Sequence, residues 1–191
     1  MTNAAVTEVF RAMLPYYLHE RARDFRFLAQ QRRVCTMLDG RAGRVLDIGC
    51  GPGLMTGALV ARGWEVWGLD CLEPSLAWAR AEAVAVGWAS HARYVAGDAE
   101  TLPFSAGAFD AVIAMGVLEY LADAPGFVAE AGRVLRPGGL LVVDNATSHQ
   151  AEMAPFVALV SADREFVTSL VPVGNGEFLA VKADQGWSEP T

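Results

Sequence analysis

The run Val45-Leu-Asp-Ile-Gly-Cys-Gly-Pro-Gly53 joins apolar and β-branched residues to three glycines at alternate positions, just before a stretch that reads as helix. Val45, Leu46 and Ile48 suit a central parallel strand covered on both faces. Gly49, Gly51 and Gly53 allow a tight turn and let backbone approach a ligand closely. Gly53-Leu-Met-Thr-Gly-Ala-Leu-Val60 then reads as a helix whose first amides face the bound molecule. The glycine spacing is GxGxG, whereas the GxGxxG dinucleotide fingerprint needs a glycine where Leu54 stands. Alone, a glycine turn of either kind is a weak sign, because any strand-to-helix turn in an α/β protein can carry two glycines.

Later segments extend the pattern. Glu65-Val-Trp-Gly-Leu69 predicts a second strand ending in Asp70, where a doubly wound nucleotide fold places a carboxylate for the ribose hydroxyls. The periodicity predicts a helix to about residue 38, strand 44–49, helix 54–62, strand 65–69, helix 74–86 and strand 92–96. Strand 109–115, helix 125–135 and strand 140–144 follow. This alternation predicts an α/β, doubly wound, mostly parallel sheet with helices on both faces and right-handed crossovers. In the tail, Glu165 to Val173 and Glu177 to Lys182 flank Gly174-Asn-Gly176, which reads as an antiparallel hairpin. Gly186 to Thr191 is expected to fray.

Composition bounds the function. A chain of 191 residues buries roughly 70% of its unfolded surface, so no disulfide or metal staple is required. Hydrophobic residues make up 53%, yet none of the apolar runs approaches the roughly 18 residues of a membrane span, and no signal pattern opens the chain. A cytoplasmic location is expected. Cys35, Cys50 and Cys71 lack CxxC spacing and are expected as buried free thiols. The net charge of -7 disfavours nucleic-acid binding, which needs a basic surface. One segment runs against that charge: Arg11, Arg21, Arg23, Arg26, Arg32, Arg33, Arg41 and Arg44 face only Glu20, Asp24 and Asp39. Between Leu18 and Leu38 apolar residues recur near a helical period. Two readings fit: a helix packed on the sheet with a solvated arginine face, or a cover that also meets an acidic substrate or a membrane surface.

Taken in order, VLDIGCGPG, GDAETLPF, FDAVIAMGVLEYLAD and RVLRPGGLL resemble the motifs of class I S-adenosylmethionine-dependent methyltransferases of the small-molecule, type 11-like branch. The resemblance covers roughly residues 44 to 145. It implies a seven-stranded sheet closed by a reversed last strand pair, S-adenosyl-L-methionine as cofactor and S-adenosyl-L-homocysteine as product. Asp47 would orient the glycine turn or reach the methionyl ammonium, and Gly49, Cys50, Gly51 and Gly53 would form the turn. Asp70 would accept the ribose hydroxyls; the alternative is a strand-end aspartate capping the next helix. Cys71 and Leu72 would flank the adenine, with core filler as the alternative for Cys71. Asp98 would accept the adenine amine beside the Ala99 amide, against an Asx turn as the alternative. The Met115 carbonyl would lie near the methionyl end.

The same resemblance leaves the reaction less specified. Where the family often has LEHL, this chain reads Leu118-Glu119-Tyr120-Leu121, so Tyr120 would line the acceptor pocket, orient the acceptor or pack beneath it. His149, beyond the fifth strand, would serve as a base or remain a solvated loop residue. The histidines lie far apart, and no ligand cluster with metal spacing is visible, so no metal is expected. No Asn-Pro-Pro-Tyr or Asp-Pro-Pro-Tyr element follows the fourth strand, which disfavours a nucleobase acceptor. The span from Ala146 to Arg164 is too short for a large lid. Cover is therefore expected from residues 1–40 over a domain of residues 41–191, or from a second copy in a homodimer; Tyr16 and Tyr17 would lie against the acceptor, with an aromatic staple of the first helix to the core as the equal alternative. The expected function is methyl transfer to a small-molecule acceptor. A membrane-borne quinone or lipid acceptor, with peripheral membrane contact, is one alternative; a noncatalytic cofactor-binding subunit is another. A nicotinamide oxidoreductase is a remote third, disfavoured by Leu54.

Overall fold

The structure, a computed structural model, describes residues 3–172 and 175–184. Gly174 of the expected turn and the tail expected to fray lie outside the described residues. In chain order the elements are α1 (Asn3–His19), α2 (Phe25–Met37), β1 (Gly43–Ile48), α3 (Thr56–Val60), β2 (Trp64–Asp70), α4 (Glu73–Ala85) and β3 (Ala92–Ala96). β4 (Phe109–Ala114), α5 (Ala124–Val134), β5 (Leu135–Val143), α6 (Gln150–Ala162), β6 (Phe166–Val171) and β7 (Glu177–Lys182) follow. The strands form one seven-stranded sheet in the order β3-β2-β1-β4-β5-β7-β6. β1 to β5 are parallel, and β7 runs antiparallel to both β5 and β6. The expected α/β architecture is the observed one. The chain winds outward from β1 in both directions, so a crevice opens between β1 and β4 beyond their carboxyl ends.

The two-residue period of the strands builds two cores. Leu46, Ile48, Val112, Ala114, Leu141 and Val143 point to the side covered by α5 and α6, where Phe127 and Phe156 pack. Val45, Val66, Ala111, Ile113 and Val142 point to the other, against Val34 and Cys35 of α2, Leu38 just after it and Leu59 of α3. Burial on both faces explains why these strands read as near-continuous apolar runs.

Four elements differ from the sequence reading. The N-terminal helix is broken: a 3₁₀ turn at Arg21–Arg23 separates α1 from α2. Asp24 causes the restart, because its backbone is extended and its carboxylate accepts the amides of Arg26 and Phe27, a helix N-cap. α3 spans only Thr56–Val60, so the glycine turn itself, rather than the start of a long helix, borders the crevice. β5 begins at Leu135, earlier than expected, with a register shift between Phe109 and Ala111 beside Pro137-Gly138-Gly139. α6 occupies a span read from sequence only as a connection, where Pro155 interrupts the helical signal.

Candidate active site

A cavity of about 560 Å³ lies beyond the carboxyl ends of β1, β2, β4 and β5, within the size range of small-molecule sites. Its floor begins with the glycine turn. The amides of Gly49 and Cys50 donate to the Leu69 carbonyl at 2.8 and 3.1 Å, which ties the turn to the end of β2. Asp70 extends that tie: its carboxylate accepts the Gly51 amide on one oxygen and the Leu72 amide on the other, both at 2.8 Å. Burial pushes the Asp70 carboxyl up, and the amides of Leu72, Gly51 and Cys71 pull it partly back. Three amides on about four lone-pair sites leave the carboxylate capacity for a ligand hydroxyl.

Asp47 sits deeper, at the end of β1. Its Oδ2 is buried without a hydrogen-bond partner, and burial, reinforced by nearby Asp70, pushes its carboxyl up to about 8. An orphaned buried oxygen in a cavity wall fits a ligand cation or donor group. At the other end, Asp98 Oδ1 accepts the Glu100 amide at 2.9 Å, which forms the Asx turn named as its alternative role. The turn leaves Asp98 and Ala99 in the cavity wall.

The roof is aromatic. Phe10 of α1 stands edge-on to Tyr120, with ring centroids 4.9 Å apart and planes at 71°. Phe10 also meets Tyr17, and Tyr17 meets Tyr16. Burial raises the Tyr17 and Tyr120 hydroxyls above the ordinary phenol range. α1 reaches the end of β2 as well, where Thr7 hydrogen-bonds the Cys71 side chain. On the sheet side of the cavity, after β5, stands Asp144, which accepts Gln30 Nε2 at 2.6 Å and the Gly116 amide at 2.7 Å. His149 stands just before α6 without a side-chain capping bond, its Nδ1 3.0 Å from Ser148 Oγ.

Residues 46–143 match the model of the family described as methyltransferase domain. The chain belongs to that methyltransferase family. It is 33% identical over 147 residues to the ubiquinone biosynthesis O-methyltransferase of Pseudomonas aeruginosa, covering 74% of this chain and 60% of the relative. It is 36% identical over 135 residues to the protein of that description from Mesorhizobium japonicum, covering 71% and 52%. The match therefore spans little more than half the length of these relatives. Among solved structures, an S-adenosyl-L-methionine-dependent methyltransferase of Methanococcus maripaludis aligns with a TM-score of 0.77 at 17% identity, over 94% of both chains. A methyltransferase of Aquifex aeolicus aligns at 0.66 and 17% identity, over 80% of this chain and 88% of the other. At such identities the likeness shows the fold.

Most of the residues marked in the sequence of this methyltransferase-family chain meet in the one cavity. Tyr16, Tyr17, Asp47, Gly49, Cys50, Gly51, Asp70, Cys71, Asp98, Ala99, Met115, Tyr120 and His149 all line it. Gly53 and Leu72 do not. Gly53 faces inward, against Tyr94, Ala79 and Thr56. Leu72 is buried, and what it gives the site is the amide that fixes Asp70. Cys35 and Cys50 are buried as expected, but Cys71 is exposed, because it follows the last residue of β2 at the cavity rim. Sequence reasoning missed Gln30, Arg21, Glu119, Asp144 and Asn145, which also line the cavity. A signal existed for Asn145: Asp144-Asn145 follows β5, and Asn145 takes φ 63, a conformation that asparagine tolerates better than most residues. Among the described residues no group of three or more His, Cys, Asp and Glu side chains is gathered as a metal site.

Two predictions arise here. The folded Asp47 carboxyl keeps its proton up to about pH 8, whereas an unfolded aspartate releases it near 4. Between those values the folded state binds more protons, so its stability falls as pH rises. The ligand-free chain should melt at lower temperature from pH 5 to pH 8, and Asp47→Asn should flatten that decline above pH 6. Parallel declines in both proteins would show that Asp47 is not the source of the pH dependence. Asp70→Ala should weaken S-adenosylhomocysteine binding by about 2 kcal/mol or more through lost charge-assisted bonds, with the Gly51 amide released as well. Calorimetric titration measures it, and unchanged affinity removes Asp70 from the ribose role.

Proposed function

We propose that the chain is an S-adenosylmethionine-dependent methyltransferase acting on a small-molecule acceptor. The observation that carries this reading is the orphaned Asp47 oxygen beside a glycine turn held by Asp70, in a cavity wall that also contains Asp98. Asp47 fits the methionyl ammonium, the remaining acceptor capacity of Asp70 fits the ribose hydroxyls, and Asp98 with the Ala99 amide fits the adenine edge. Bound S-adenosylmethionine supplies a methyl group already activated by its sulfonium. The chain's own work is to orient the acceptor, exclude water and take up a proton where the acceptor is weakly acidic. Phe10, Tyr16, Tyr17 and Tyr120 serve the first two tasks as a roof over the acceptor half, with residues 1–40 contributing through α1.

Calorimetry tests the cofactor: S-adenosylhomocysteine should bind and NAD should not. Saturable NAD binding with none of the homocysteine product overturns the reading. A finer reading is transfer to oxygen of a quinone precursor at a membrane, favoured by the relatives described as ubiquinone biosynthesis O-methyltransferases. No described helix is long and apolar enough to cross a membrane, so such contact would be peripheral. Flotation with anionic liposomes separates the two: a chain that stays at the bottom of the gradient acts on a dissolved acceptor.

A further inference from the structure

Asp144 is the acid that the methyl-transfer reading leaves without a task. It follows β5 and is only 4% exposed, yet it lines the cavity in the half away from Asp70 and Asp98. Its two oxygens take one bond each from uncharged donors on different elements, Gln30 of α2 and the Gly116 amide after β4. No ion pair of the described residues includes it. A buried carboxylate held by neutral donors costs stability that a neutral residue would not, and its two bonds leave an outer lone pair on each oxygen. The charged groups that act on it are Glu119 after β4 and Arg21 between α1 and α2, and His149 before α6 and Tyr17 and Tyr120 of the roof line the same cavity. Burial, with Glu119 adding to it, brings its carboxyl to about 6, while Arg21 and the two hydrogen bonds hold it from rising further.

The same surroundings select the acceptor. An anion entering this half would meet Glu119 and Asp144, with Arg21 as the one lysine or arginine in the described wall. An ammonium would be attracted but held protonated, and a protonated amine cannot attack a methyl group. A neutral aromatic hydroxyl meets neither obstacle, since its ring suits the aromatic roof and its O–H suits a carboxylate acceptor.

We infer that Asp144 binds a neutral phenol through its hydroxyl and takes that proton as the methyl group is transferred. The inference rests on the methyltransferase reading proposed above. The phenol O–H bond breaks with its proton passing to an Asp144 oxygen, and the freed oxygen pair forms the new O–CH₃ bond. The carbon–sulfur pair stays on sulfur, so carboxylate and sulfonium charges are neutralised together, and Asp144 later returns the proton to solvent. Gln30 and the Gly116 amide act as positioning groups that fix both carboxylate oxygens.

The test uses the full chain with 4-methylcatechol as probe. Wild-type protein saturated with S-adenosylhomocysteine should bind the probe more tightly as pH rises through about 6, and the carboxyl carbon-13 titration of Asp144 should move when probe is added. Asp144→Asn keeps the shape of the side chain, and the Gln30 amide can turn to accept its NH₂. This variant should bind S-adenosylhomocysteine within about twofold of wild type, lose the pH dependence of probe binding, and transfer methyl at least roughly a hundredfold more slowly, as removal of a general base does. Equal probe binding and transfer in Asp144→Asn overturns the proposal, as does an Asp144 resonance that ignores the probe. The resonance decides the matter even where the variant folds poorly. A wild-type protein that binds S-adenosylhomocysteine but no catechol overturns the phenol inference alone. One that binds neither removes the methyltransferase reading beneath it.

Discussion

Gly51→Val is expected to abolish S-adenosylhomocysteine binding while leaving a cooperatively folded protein. Gly51 takes φ 52, and a Cβ built there meets no atom within 4 Å. The left-handed backbone costs a branched residue about 1–2 kcal/mol, which most domains of this size withstand. The added methyl groups would project into the cavity that Gly51 lines, where the ligand must come against bare backbone. Gly49 provides the contrast, since a Cβ there collides with the Val117 side chain. Gly49→Val should therefore lower the melting temperature, whereas Gly51→Val should chiefly remove binding. Calorimetry and thermal denaturation of the two variants separate the effects. Wild-type affinity in Gly51→Val would mean that the turn does not border the ligand, and the cofactor assignment would fail with it.

What the sequence disclosed follows from the range of the interactions involved. The strand at Val45 to Ile48, the glycine turn and Asp70 were legible because local signals suffice for them: an apolar run, a special backbone conformation, and an acid at a strand end. The break between α1 and α2 was also local, in the N-cap at Asp24, but arginines and apolar residues continuing across it at helical spacing masked the interruption. The Asp144 site was not legible. Gln30 lies 114 residues from Asp144, and only the winding of β5 beside β4 and the packing of α2 on the sheet bring them together. Arg33 and Glu177, 144 residues apart at 2.8 Å, depend on the same packing of α2. These two contacts divide the N-terminal segment in a way its composition conceals. α2 belongs to the core through Phe27, Val34 and Cys35, with Leu38 just after it, while no side chain described in α1 is buried.

Deleting residues 1–17 is therefore expected to leave a folded protein that binds S-adenosylhomocysteine but transfers methyl poorly. The truncation ends before Arg21 and Asp24, so the N-cap of α2, its core contacts and the Gln30 and Arg33 bonds all remain. It removes Phe10 from its edge-on contact with Tyr120, together with Tyr16, Tyr17 and the Thr7 bond to Cys71. Product binding should weaken modestly through loss of the Thr7 bond to Cys71, on the side proposed for the adenine. Transfer should fall on the order of a hundredfold, since water enters the acceptor half and an acceptor misplaced by about 1 Å loses that much in rate. Product titration and a rate measured on the same preparation distinguish these effects. Tyr120→Phe refines the result: near-full activity means the ring fills space, and a large loss assigns work to the hydroxyl. A truncated chain that transfers methyl at the intact rate would remove α1 from the roof. Cover would then have to come from α6, which follows His149 on the cavity wall, or from a second copy of the chain.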